Sequence, residues 1–309
     1  MFLQYAFYME KTSKKIYNII TRKGVFMATV GMVLEGGAMR GLYTAGVLDV
    51  MMENNIKIDG IVGTSAGALF GVNYFSNQKG RAFRYNKKYL NDKRFISKKS
   101  LLLTGNIVNK NFAFYKVTKE LDPLDNETFI KNNKDYYATA TNVETGKPEY
   151  LKITDPLNQL EELRATSAMP FASRMIKING KKYLDGGISD SIPVMKCKEL
   201  GYDKIIVVLT QPLNYRKEKN SDKKMKFVKL KYRKYPNLIK TMENRHNDYN
   251  EIIDKIIDME SKKEIFVIRP SKKLKINILE KKPEKLDEIY NIGINDCKKI
   301  INELKEYLN

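Results

Sequence analysis

The chain has 309 residues, is 42% hydrophobic with a mean hydropathy of -0.46, and carries 56 Lys and Arg against 36 Asp and Glu, a formal charge of +20. Such a chain can bury a large core, and no segment approaches the roughly 20 apolar residues that a membrane-spanning helix needs. A single histidine, His246, and two distant cysteines, Cys197 and Cys297, exclude a disulfide framework and leave no basis for a histidine- or thiolate-based metal site; two isolated free thiols fit a cytoplasmic protein.

Met27-Ala-Thr-Val reads as a natural beginning for a first core strand, which leaves residues 1–26 as an N-terminal extension. Its apolar residues precede its lysines, the reverse of a signal peptide. Lys11, Lys14, Lys15, Arg22 and Lys23 among Phe, Tyr and Ile read either as a basic amphipathic anchor or as a loosely packed terminus.

A strand is expected at Val30–Leu34, then the glycine-rich turn Glu35-Gly36-Gly37-Ala38-Met39-Arg40-Gly41, then a helix over 42–52. Backbone N–H groups of such a turn converge and can hold an oxyanion. A dinucleotide-binding Gly-x-Gly-x-x-Gly loop is the rival reading, and Ala38 stands where its second glycine is required. A second strand, 56–62, is interrupted by Lys57 and Asp59-Gly60 and feeds Gly63-Thr64-Ser65-Ala66-Gly67. Gly-x-Ser-x-Gly between a strand and a helix is what a sharp turn needs to hold Ser65 out as a nucleophile, with the helix from Ala66 aiming free N–H groups at the site.

Residues 78–130 are charged and mixed, with Leu101-Leu-Leu as an apolar spot, and are expected to cover the site as a cap. Strands follow at 136–141 and 149–153, a helix at 160–167, and a short strand at 182–184 that ends in Asp185-Gly186-Gly187. An aspartate at a strand's end can point its carboxylate into the crevice of Ser65; alone, it reads as an ordinary Asp-Gly turn. Lys204–Leu209 reads as a doubly buried strand, 249–260 as an amphipathic helix, 265–269 as a strand and 286–308 as a closing helix.

Oxyanion loop, nucleophile and carboxylate base, in this order, resemble the patatin-like phospholipase family. Glu35 to Gly41 is similar to its oxyanion loop with an Arg-Gly ending, Gly63 to Gly67 to its nucleophile elbow, and Asp185 to Gly187 to its Asp-Gly-Gly/Ala motif. The stretches 138–146 and 164–170 also match its pattern, so the resemblance covers about 30–200. Ala38 departs from the third glycine of plant patatins but still donates an N–H.

The resemblance implies a Ser65–Asp185 dyad without metal or cofactor, with oxyanion donors at Gly36, Gly37, Ala38 and Ala66. The order Ser65, Asp185, His246 also fits a hydrolase triad, yet His246 lies in a polar helix-like stretch outside the matched region. Arg40 reads either as a holder of a lipid phosphate or as a structural arginine of the loop.

Much of the basic excess lies between Arg216 and Lys234, where ten Lys and Arg alternate with Met225, Phe227, Val228, Leu230 and Tyr232. That mixture suits an anionic membrane surface; it also suits nucleic acid, for which no recognised motif is present.

The fold expected is three-layer α/β, a largely parallel central sheet flanked by helices, with residues 27–200 as the acyl hydrolase domain and 201–309 as a basic α/β extension on the same core. The function expected is a serine acyl hydrolase acting on phospholipid or lysophospholipid carboxyl esters, cytoplasmic or peripheral at the inner face of the membrane. A non-catalytic lipid- or membrane-binding regulatory protein on the same fold is the alternative.

Overall fold

The computed structural model describes residues 28–309, so the extension expected over residues 1–26 lies outside the described residues. Strand β1 (Val30–Leu34) runs through the glycine turn and a 3-10 turn at Ala38–Arg40 into α1 (Gly41–Glu53); β2 (Gly60–Thr64) runs into α2 (Ala66–Phe75). Then come α3 (Arg81–Lys88), α4 (Lys98–Thr104), a π-helical segment (Lys110–Leu121) and α5 (Asn126–Asn132). β3 (Asp135–Asn142), β4 (Pro148–Lys152), α6 (Leu160–Thr166), β5 (Ile176–Ile178), β6 (Lys181–Asp185) and α7 (Val194–Glu199) follow. The chain closes with β7 (Lys204–Val208), α8 (Asp222–Lys231), α9 (Pro236–Ser261), β8 (Phe266–Ile268) and α10 (Pro283–Leu308).

The eight strands of the described residues form one sheet, in which β1 lies between β2 and β7 and is parallel to both. β3 continues parallel beyond β2 and β8 beyond β7, while β4, β5 and β6 pair antiparallel. The expectation of a largely parallel sheet between helices is met, and the alternation of side chains explains why. Met32, Leu34, Ile206 and Val208 pack in one cluster with α1, α2 and α10, whereas Val33, Val62, Ile205 and Val207 pack in another with α7 and α9. Strands covered on both faces read as unbroken apolar runs.

β2 begins later than its sequence suggests. Asn55 turns the chain with φ 54°, and the Asp59 carboxylate accepts the Val30 N–H at 3.0 Å and the Lys134 ammonium at 2.6 Å. Ile56 and Ile58 are buried without joining the ladder, which opens where Gly60 meets Gly31.

The pairing of β3 positions everything that follows. Its even-numbered residues turn their backbone groups to β4: Asn142 N–H donates to Lys147 O and Tyr136 O accepts from Ile153. Its odd-numbered residues turn to the other edge, where Asp135 N–H donates to Asp59 O and Val143 N–H to Lys182 O. β2 and β6 therefore share one edge of β3. β2 ends with Thr64 opposite Thr139, and β6, running the other way, ends with Asp185 opposite Ala140. Their C-terminal ends meet head-on.

The C-terminal helix is locked onto the core by close approach. A Cβ at Gly293 of α10 would lie 2.1 Å from Tyr43 O of α1, and one at Gly46 would lie 2.3 Å from Tyr290 O. In an open helix Gly→Ala stabilises by roughly 1 kcal/mol. Here Gly293→Ala is expected to destabilise by about 1–3 kcal/mol, as overpacking against backbone does. A urea unfolding midpoint above that of the parent chain would contradict this packing.

Candidate active site

Ser65 sits at the junction of β2 and α2 with φ 54° and ψ -124°, a conformation that costs a non-glycine residue about 1–3 kcal/mol. The surroundings hold it there. Its N–H donates to Thr166 Oγ1 at 2.8 Å, and the Tyr136 hydroxyl donates to Ala68 O in the first turn of α2. A Cβ at Gly67 would lie 2.5 Å from Leu34 O, so only glycine lets this turn press against the end of β1.

The head-on strand ends bring Asp185 to the serine. Ser65 Oγ donates to Asp185 Oδ2 at 2.8 Å, and the Gly187 N–H donates to Oδ1 at 2.8 Å. The Asp185 backbone is fixed as well, its N–H donating to Ala168 O at 2.9 Å and its C=O accepting from the Thr141 hydroxyl at 2.8 Å. A Cβ at Gly186 would fall 2.1 Å from Thr139 O, which keeps that turn tight. Burial pushes the Asp185 carboxyl above its usual range, and the Gly187 N–H, the Ser65 hydroxyl and the Arg245 guanidinium pull it back.

Arg245 is a partner the sequence did not announce, and Thr166 lies in the matched stretch 164–170, to which no role was given. Arg245 projects from α9, and its Nε donates to Gly187 O, placing a cation beside the Asp185 turn. Burial lowers its pKa and the Asp185 carboxylate raises it. Its neighbour His246 turns elsewhere: the ring Nδ1 meets Glu243 O of its own helix at 3.1 Å, while both Asp185 oxygens are occupied by Ser65 and Gly187.

The glycine turn lies against the serine, a Cβ at Gly36 falling 3.2 Å from Ser65 Cβ and one at Gly41 2.8 Å from Ala66 Cβ. Of the N–H groups expected to face an oxyanion, that of Gly36 donates to Ser191 O at 3.2 Å and is not free. Those of Gly37 and Ala38 have no backbone partner among the described residues, and Ala66 opens α2, where N–H groups lack intrahelical acceptors. Ala38 takes φ 47°, so this turn uses the left-handed region without a glycine.

Glu35 anchors the turn from below. It is 1% exposed; Oε2 accepts the Thr210 N–H at 2.5 Å and Oε1 the Tyr249 hydroxyl at 2.8 Å. Burial pushes its carboxyl up, against the Thr210 N–H and the Arg40 charge. Arg40 Nε is itself buried without a hydrogen-bond partner among the described residues. Ser65 and Ala38 line a cleft, partly open to solvent, walled by Leu69, Phe70, Phe95, Val108, Phe114 and Leu163. Its roof is the 78–130 region, as expected of a cap. The site thus joins a hydrogen-bonded serine hydroxyl and buried carboxylate to N–H groups without backbone partners and an apolar cleft.

The family model described as Patatin-like phospholipase matches residues 32–197, and one described as Domain of unknown function (DUF6363) matches residues 235–309. The Uncharacterized protein YjjU of Escherichia coli is 30% identical over 271 residues, which cover 85% of this chain and 74% of that protein. Lysophospholipase NTE1 of Debaryomyces hansenii is 28% identical over 189 residues, 58% of this chain; the chain spans 12% of that protein's length. The solved structure of VipD from Legionella pneumophila shares 11% identity and a TM-score of 0.45 over 90% of this chain and 67% of its own, a slight likeness.

The raised pKa of Asp185 has a thermodynamic consequence. A carboxyl whose folded pKa exceeds its unfolded one contributes stability below the unfolded pKa and loses it as pH rises through the folded value. Asp185→Asn removes that loss. Its stability relative to the parent chain is expected to rise as pH increases above the unfolded carboxyl's pKa of about 4, read from urea unfolding at each pH. A difference that stays flat or falls would contradict a buried, raised carboxyl.

Proposed function

The chain belongs to the patatin-like phospholipase family, and on that premise we propose that it is a serine acyl hydrolase that cleaves lipid carboxyl esters, of phospholipids or lysophospholipids, through Ser65 and Asp185. The observation that carries the reading is the 2.8 Å hydrogen bond to a buried carboxylate from the Oγ of Ser65, which lines an apolar cleft. The lysophospholipase name of a relative agrees with the substrate class.

In the proposed reaction the acyl chain lies in the cleft and the ester carbonyl meets Ser65. Oγ attacks the carbonyl carbon as Asp185 takes its proton. The N–H groups of Gly37, Ala38 and Ala66 hold the oxyanion, each such donor in a hydrolase being worth about 3 kcal/mol. Collapse breaks the bond to the alcohol, which leaves with the proton from Asp185. A water then attacks the acyl-serine and gives a proton to Asp185; Ser65 recovers that proton as the fatty acid departs. Arg245 acts as a positioning residue, orienting the Asp185 turn and favouring the ionised base. The working place is the inner face of a membrane, approached from the cytoplasm, where each Lys or Arg near an anionic surface adds about 1 kcal/mol.

A fluorophosphonate probe and a short-chain nitrophenyl ester test the dyad together. Ser65→Ala is expected to abolish labelling and turnover, Asp185→Asn to lower turnover by about a thousandfold, and His246→Ala to leave both intact. Loss of both in a folded His246→Ala protein would replace the dyad with a triad. A parent chain that neither labels nor turns over would favour the non-catalytic lipid-binding reading.

The pH profile tests Arg245. Without its guanidinium the Asp185 carboxyl titrates higher, so the base is protonated at pH values where the parent enzyme is active. Arg245→Leu is expected to move the acid limb of the kcat/KM profile upward; an unmoved limb would reduce Arg245 to a structural tie.

A further inference from the structure

The four most exposed large apolar side chains among the described residues are Leu102 (86%), Leu103 (71%), Leu230 (69%) and Phe227 (56%). They come from two helices far apart in sequence, α4 and α8, which a continuous series of contacts joins. The chain leaving α4 docks on the 171–174 segment: Ile107 N–H donates to Ala172 O at 2.7 Å, and Asn106 Oδ1 accepts the Arg174 N–H at 3.1 Å. That segment docks on the end of α8, where the Phe171 ring meets Tyr232 edge-on at 5.7 Å and Lys231 Nζ lies 4.7 Å from the Phe171 ring. The joining residues reach the cleft itself, since Asn106, Val108, Met169 and Ser173 line it. The two helices that carry these apolar side chains are thus tied, through these residues, to the wall of the cleft that ends at Ser65.

Charge on this face is mostly positive, with Asp222 at the start of α8 as an exposed acidic exception. Lys98 and Lys99 open α4, and Lys223, Lys226, Arg233 and Lys234 stand exposed on and after α8; none of the six makes an ion pair among the described residues. Three other cations of the basic stretch are committed elsewhere. Arg216 pairs with Asp254 at 2.8 Å, Lys229 with Glu243 at 2.7 Å, and Lys217 turns inward to lie 4.3 Å from the Tyr249 ring. The exposed cations that remain thus flank the exposed leucines and phenylalanine. Apolar side chains that cluster on a surface mark an interaction site, and when ringed by lysines they match the apolar interior and anionic surface of a bilayer.

We infer that the face formed by Leu102, Leu103, Phe227 and Leu230 with the flanking lysines docks the enzyme on an anionic lipid bilayer, mouth of the cleft downward, so that substrate enters from the membrane. This rests on the lipid acyl hydrolase reading for its purpose, although the docking itself does not need catalysis. Insertion of the side chains supplies hold, and the cations select the surface.

Vesicle flotation and two activity assays separate the parts. The parent chain is expected to bind phosphatidylcholine vesicles containing phosphatidylglycerol and to bind pure phosphatidylcholine vesicles weakly. The double variant Leu102→Ser, Leu103→Ser and, separately, Phe227→Ser, Leu230→Ser are each expected to weaken anionic-vesicle binding about tenfold. Both are expected to slow hydrolysis of vesicle-borne phospholipid while leaving a soluble nitrophenyl ester untouched. Lys223→Glu with Lys226→Glu is expected to remove the preference for phosphatidylglycerol. Vesicle binding unchanged by either apolar pair, or no vesicle binding by the parent chain, would overturn the inference. Binding that persists in a parent chain without ester hydrolysis would support the docking face and overturn the hydrolase reading instead.

Discussion

One edge of β3 carries two strands that run toward each other, and the rest of the site depends on that collision. β2 arrives with Thr64 opposite Thr139 and β6 with Asp185 opposite Ala140, so the next residue of β2 has to leave the ladder. It leaves as Ser65, turned by φ 54° into α2. The two chain ends then lie side by side with backbones already fixed by a sheet that is covered on both faces, and a 2.8 Å hydrogen bond between their side chains follows. Residues that are 120 apart in sequence meet through two short parallel and antiparallel registers, with no flexible loop between the strand ends and the reactive atoms.

Such precision is held against several unfavourable terms. Ser65 stays in a rare conformation, and Asp185 and Glu35 are carboxylates taken out of water. Each is compensated locally. Thr166 accepts the Ser65 N–H, Gly187 donates to Asp185, and Glu35 receives the Thr210 N–H and the Tyr249 hydroxyl. Tyr249 and Arg245 belong to α9, so the C-terminal helices do more than cover the sheet. They hold the glycine turn and the Asp185 turn, and α10 is itself locked to α1 through Gly46 and Gly293.

The strongly apolar parallel strands and the two turns with chemistry were legible in the sequence, because each carries its own signal. Val30–Leu34 and Lys204–Val208 are buried on both faces and read as unbroken runs, and the elbow has glycines wherever a Cβ would strike backbone. What was not legible depends on distant partners. Arg245 looks like an ordinary helix arginine, and Thr166 shows no role of its own, until α9 and α6 are brought beside the site. The Gly36 N–H looked like its neighbours, yet Ser191, 155 positions away, occupies it. α9 starts at Pro236 rather than Tyr249, because Leu238, Met242 and Tyr249 are buried at spacings that the intervening Asn, Arg and Asp obscure. The basic stretch showed its charge in the sequence but not that Arg216, Lys217 and Lys229 turn to protein partners.

The most direct test of the central claim, that the meeting of β2 and β6 makes Ser65 a nucleophile, is mass spectrometry of enzyme quenched in acid during turnover of an ester. The account predicts an acyl group on the peptide that contains Ser65, formed by the parent chain and absent from Ser65→Ala. Turnover without any acylated serine, or an acyl group on another residue, would contradict it.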